Sequence, residues 1–182
     1  MKKSLLILFV ISSFFVACGP KINSTQQESL QQLTSNVDSV AQLLNALDSA
    51  ELTQLTDNFF QRKNFIQSEM ADTLAPETIF KLDAFIQLRK EMGFIRGEYF
   101  TIKNEANILN QQMVDLNHDV SKRLVEEKQF ERYYALEKEN YDELTMATSQ
   151  LTGALERGRT SYHRLVEEID SVITAYKSTL NE

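Results

Sequence analysis

The sequence predicts an all-α fold: an elongated antiparallel bundle of three long helices with coiled-coil-like packing. Apolar residues recur at steps of three and four over most of the chain, the spacing of helices that bury one narrow face. Breakers are scarce, with two prolines and five glycines in 182 residues. Pro76 falls where the spacing is interrupted. This periodicity, in a chain that is 42% apolar, sets the body apart from a disordered polymer.

Residues 1–17 stand outside that pattern. Lys2 and Lys3 lead, an apolar run covers Leu5 to Ile11, Phe14 to Val16 extend it past two serines, and Ala17 closes it. A spanning helix needs ~20 consecutive apolar residues. This run is shorter, so it is expected to be a secretory signal with a charged start, an apolar centre and a small residue at its end. Cys18, the single cysteine, follows at once, and one thiol per chain excludes an intramolecular disulfide. The expected division is a signal over 1–17, an anchored cysteine and short tether over 18–23, and one helical domain over 24–182.

Phe15-Val16-Ala17-Cys18 resembles a bacterial lipobox. Such signals most often carry Leu three residues before the cysteine, where this chain has Phe15. The resemblance covers about the first twenty residues. It implies cleavage before Cys18, a diacylglycerol on its thiol, palmitate labelling, and a lipoprotein of the bacterial cell envelope. Gly19, in place of an acid, resembles lipoproteins directed to the outer membrane. Two or more acyl chains hold stably where one does not, so a lipidated Cys18 anchors by itself.

The first helix, A, is expected to start at Ser24 or Thr25, because Ser24-x-x-Gln27 and Thr25-x-x-Glu28 both have capping-box spacing. Its seam runs Leu30, Leu33, Val37, Val40, Leu44 and Leu47, slips by one at Leu52, and resumes through Leu55, Phe59 and Ile66. Its expected end is near Asp72. Pro76 disfavours helix in the residue before it and suits the first turn of the next. Helix B is expected over 76–122, with a seam from Phe85 through Met92, Tyr99, Ala106 and Met113 to Val120.

Counting on by threes and fours reaches two charged residues, Arg123 and Glu127, and then Phe130, Tyr134, Glu137, Tyr141, Leu144 and onward to Tyr176. Two architectures fit. The chain turns near Ser121–Gln129 and helix C covers 128–180, or residues 76–180 form one very long helix in a hairpin with A. The preserved phase favours the long helix; the charged seam positions and near-equal lengths favour three. A monomeric three-helix bundle is expected. The long helix would oligomerise through its unpaired second half.

Without residues 1–17 the chain carries 17 Lys and Arg against 26 Asp and Glu. A balance of −9 argues against nucleic acid, whose phosphates need clustered cations, and against a broad electrostatic grip on anionic lipid. Ile22 to Gln61 contains no Lys or Arg at all.

Little in the chain carries catalytic chemistry. His118 lies one turn after Asp115 and His163 one turn before Glu167, spacings of ordinary exposed helix pairs. Metal-binding, phosphate-binding and nucleophile-elbow motifs are missing. The chain is read as no enzyme, with no cofactor and no metal. Aromatic residues are the other feature. Phe59, Phe60, Phe65, Phe80 and Phe85 gather around the A–B turn, as a core layer or a candidate patch for a protein partner. The expected role is a lipid-anchored structural, assembly or interaction module. The alternative is a carrier or chaperone holding apolar cargo between helices.

Overall fold

The computed structural model describes residues 22–70 and 76–180. The expected signal, Cys18 and the residues from Ala71 to Ala75 lie outside the described residues. Five helices follow in order: α1 Ser24–Ala46, α2 Ser49–Glu69, α3 Pro76–Gln87, α4 Arg89–Ser121 and α5 Glu127–Thr179. They make three rods. Helix A is α1 plus α2, helix B is α3 plus α4, and helix C is α5. At 1.5 Å per residue α5 is about 80 Å long.

Helix A starts at Ser24 as expected, but its capping box is built on Asn23, one residue before the Ser24 box and two before the Thr25 box. The Asn23 side chain accepts from the Gln26 backbone N–H at 2.9 Å, and Gln26 Oε1 accepts from the Asn23 N–H at 3.0 Å. Asn caps as well as Ser and better than Thr, so the first residue able to cap takes the position. Helix A also ends sooner than Asp72, with Met70 as its cap.

A break at Leu47–Asp48 divides helix A. Leu47 is extended, and Asp48 caps α2 by accepting from the N–H groups of Ala50 and Glu51 at 2.9 and 3.1 Å. This interruption causes the slip in the seam: buried Leu44 is followed by buried Leu52, eight positions on rather than seven. The Tyr99 hydroxyl, from α4, donates to the Leu47 carbonyl at 3.1 Å, so a carbonyl released by the break is satisfied.

Helix B is milder in its irregularity. Leu88 stays right-handed helical, but its N–H bonds to Phe85 three residues back at 3.1 Å, a local tightening. The core face passes through without losing phase, from Leu82 and Phe85 to Met92 and Ile95.

Residues 122–126 form the B–C turn, so the long-helix alternative is not the fold. Arg123 there has φ 58°. The Leu124 N–H reaches the Asp119 carbonyl at 2.9 Å, and the Arg123 N–H reaches Val120 at 3.1 Å. This pair of bonds is a Schellman motif, which usually places glycine at the left-handed position. Val125 and Phe130 flank the new N-terminus at staple positions and both are buried. Gln129 Oε1 accepts from the Glu126 N–H at 3.2 Å.

Contacts between rods fix their directions. Asn45 meets Asn107 and Thr34 meets Asn117, so B runs against A. Lys81 pairs with Glu168 and Arg157 with Glu91, so C runs against B. Glu51 pairs with Arg159 and Arg62 with Asp170, so C runs along A. The core is one continuous column from Leu30 to Met70 on A, Leu82 to Val120 on B and Phe130 to Ile173 on C. At Gly158 helix C packs directly against helix B. A Cβ there would stand 3.3 Å from Ile95 Cδ1, so the missing side chain sets the spacing between α5 and α4.

Candidate functional site

The five phenylalanines around the A–B turn do not share one surface. Phe59 and Phe85 are fully buried, with ring centroids 5.0 Å apart. Phe85 also faces Tyr162 at 6.0 Å. Phe60 lies edge-on to Phe59 at 5.1 Å and is overlaid by the Arg96 guanidinium at 5.2 Å. Phe65 is 6.2 Å from Tyr176 and lies under the Lys177 ammonium. Phe80 alone is open, 78% exposed. Four of the five therefore make a core layer and its cation-covered margin, because a helix pair this slender has no other place for large rings.

Beside that layer lies the best-formed polar contact between rods. Arg62 Nε and Nη2 donate to the two Asp170 carboxylate oxygens at 2.7 and 2.9 Å. The hydrogen bond from Arg62 holds the Asp170 carboxyl below the usual range, and the same bond raises the guanidinium further. Burial pushes the Tyr162 phenol up. The pair fixes α2 against α5; its atoms are already matched to each other, so it offers no reactive group.

Both histidines are exposed. Among the described residues no three His, Cys, Asp or Glu side chains converge as a metal site would require. None of the described helices is long and apolar enough to cross a membrane. Cys18, the expected lipid-bearing residue, lies outside the described residues.

The remaining concave features are grooves between rods, open to solvent. One of about 390 Å³ lies between α1 and α5, among Ser29, Gln32, Asn36, Tyr134 and Tyr141. Two lie between α4 and α5, about 430 Å³ beside Phe94 and Ala154 and about 440 Å³ beside Ile108 and Ala147. No sequence motif marks the α4–α5 groove. Its signal was present as positions flanking the two seams at the same three-and-four spacing, Phe94, Glu98, Glu105, Ile108 and Gln112 on B. Comparison with family models, with curated proteins and with solved structures finds no match.

Proposed function

We propose that this chain is a lipid-anchored protein of the bacterial cell envelope, in the outer membrane, and that its bundle acts there as a structural, assembly or interaction module. The observation that carries the proposal is the lipobox-like Phe15-Val16-Ala17-Cys18 followed so closely by a helix capped at Asn23. A lipid on Cys18 would hold the near end of the rod at the bilayer. The A–B turn would then stand about 70 Å away, the length of α1 plus α2.

Two features support a module over a carrier of apolar cargo. The space between A and B is filled by Phe59, Phe85, Met92 and Tyr99, each 0–1% exposed. The seam of C from Leu144 to Ile173 is covered by A and B, which supports a monomer as the working unit. No step of the proposal needs catalysis.

Cys18→Ser tests the anchor. Metabolic palmitate labelling is expected to vanish and the protein to leave the membrane fraction. Unchanged membrane association of the variant would defeat the proposal.

A further inference from the structure

The groove between α4 and α5 opens on the side opposite α1 and α2, which grip the other flanks of those rods through Arg96–Asp57, Glu51–Arg159 and Arg62–Asp170. Its walls run from Glu91 and Arg157 to Gln112 and Asn140, about 30 Å at helical rise. The floor is apolar. Leu109 and Leu144 are buried beneath it, and Ile108 stands 50% exposed on its wall.

The rims differ in charge from every other contact between rods. Glu105 and Glu143 line the same hollow from opposite sides, and Glu98 sits two turns before Glu105 on the same stripe. None of the three forms an ion pair among the described residues. The ion pairs of the A–C, A–B and far B–C contacts each join an acid to a base. At its far end the groove carries Lys90 and Arg157, the latter paired with Glu91, but the hollow beside Ile108 is lined by two carboxylates and no cation. Both carboxylates are exposed and open to a cation from outside. Neither wall offers unpaired backbone groups, so an added strand has nothing to bond. A helix laid lengthwise needs only the apolar floor and the charged rims.

We propose that this groove docks a basic amphipathic helix of a partner protein. Apolar side chains at every third or fourth position would lie over Ile108, Ala147 and Phe94. Flanking Lys or Arg would meet Glu98, Glu105 and Glu143. The proposal gives the partner class of the interaction module above and rests on that reading. The two remain separable, because one is read at Cys18 and the other on the far wall of the rod.

The test places a photoreactive phenylalanine analogue in the full chain, in intact cells, at Gln112 or Gln150 in the groove and at Gln42 on α1. Irradiation is expected to give a protein adduct from the two groove positions and none from Gln42. Sequencing of the adduct should show an amphipathic helix with Lys or Arg beside its apolar stripe. Glu105→Lys with Glu143→Lys should cut the adduct at least ten-fold, and the Gln pair should cut it less. Thermal unfolding of the purified variants should stay unchanged, since both glutamates are exposed. Adduct absent from the groove, equal at Gln42, formed with lipid or a second copy of this chain, or formed with an acidic or extended segment would overturn the docking proposal. So would an adduct indifferent to the charge reversal. If Cys18→Ser leaves palmitate labelling and membrane association unchanged but the basic helix is still captured, the anchor falls and the groove stands.

Discussion

The two halves of the rod are held together by different physics. Near Asn23, α1 and the end of α4 meet through aliphatic side chains such as Leu30, Val37, Leu44, Leu109 and Met113. The inter-rod hydrogen bonds there are neutral, Asn45 to Asn107 and Asn117 to Thr34. Beyond the Leu47–Asp48 break, the core turns aromatic and five acid–base pairs cross between rods. The cause is in the composition. A chain with no Lys or Arg from Ile22 to Gln61 has no cation on α1 to offer its neighbours. Helix C shows the difference most plainly. From Glu131 to Glu143 none of its residues is buried, whereas Leu144 to Ile173 supplies a full seam. The near half is thus a tight A–B pair with C laid loosely along it, and the far half is a three-way bundle.

The largest test of that contrast removes one ring from each half. Phe59→Ala should cost about 3–5 kcal/mol, the usual loss for a buried aromatic ring, read as a lower urea midpoint. Tyr134→Ala, on the half-buried near seam of C, should cost well under half as much. Equal losses would show that C is gripped uniformly.

A smaller effect follows from acid. Asp170 has its folded pKa lowered by Arg62, so the unfolded chain takes up its proton first. The stability this pair contributes is whole above the ordinary carboxylate range and is lost as pH falls through the lowered folded value. Asp170 is 48% exposed, which limits the loss to about 1 kcal/mol. Hydrogen exchange at pH 5 and pH 3 should show α2 losing protection relative to α1, and Arg62→Met should remove that difference. Equal sensitivity of both segments would break the contrast.

The smallest concerns the turn that closes the near half. Arg123 holds a left-handed conformation that costs a side-chain-bearing residue about 1 kcal/mol or more. Arg123→Gly should therefore raise the melting temperature, by roughly 0.5–1 kcal/mol in stability after the added freedom of the unfolded glycine is subtracted. A drop would mean that the Arg123 side chain contributes more than its backbone costs.

These local devices mark where the sequence was legible. The seams of all three rods, the start of B at Pro76 and the slip at Leu52 could be read, because periodicity reports the buried face directly. The slip was visible without its cause, Asp48 acting as a second cap inside what looked like one helix. The B–C turn was signalled by Arg123 and Glu127 on the seam, yet no Gly or Pro marked it, since an arginine occupies the left-handed position. Leu88 gave no signal, as its tightened turn leaves the phase intact. The clustering of phenylalanines near the A–B turn was plain. Which of them would be covered was not, because Phe60 and Phe65 lie under cations brought by Arg96 and Lys177 from other rods.

The alignment of A with C bears on how the length of this protein can vary. Glu51 meets Arg159, Arg62 meets Asp170 and Glu69 accepts from Tyr176: partners 108, 108 and 107 positions apart along the α2–α5 contact. Helix B counts in the opposite sense against both. Seven residues added to one rod alone would shift every pairing beyond the insertion, and B could not follow, because its numbering runs the other way. Only three heptads, inserted at one level of all three rods, keep acid opposite base and ring opposite ring. Reach is therefore graduated, in increments of about 10 Å per matched set.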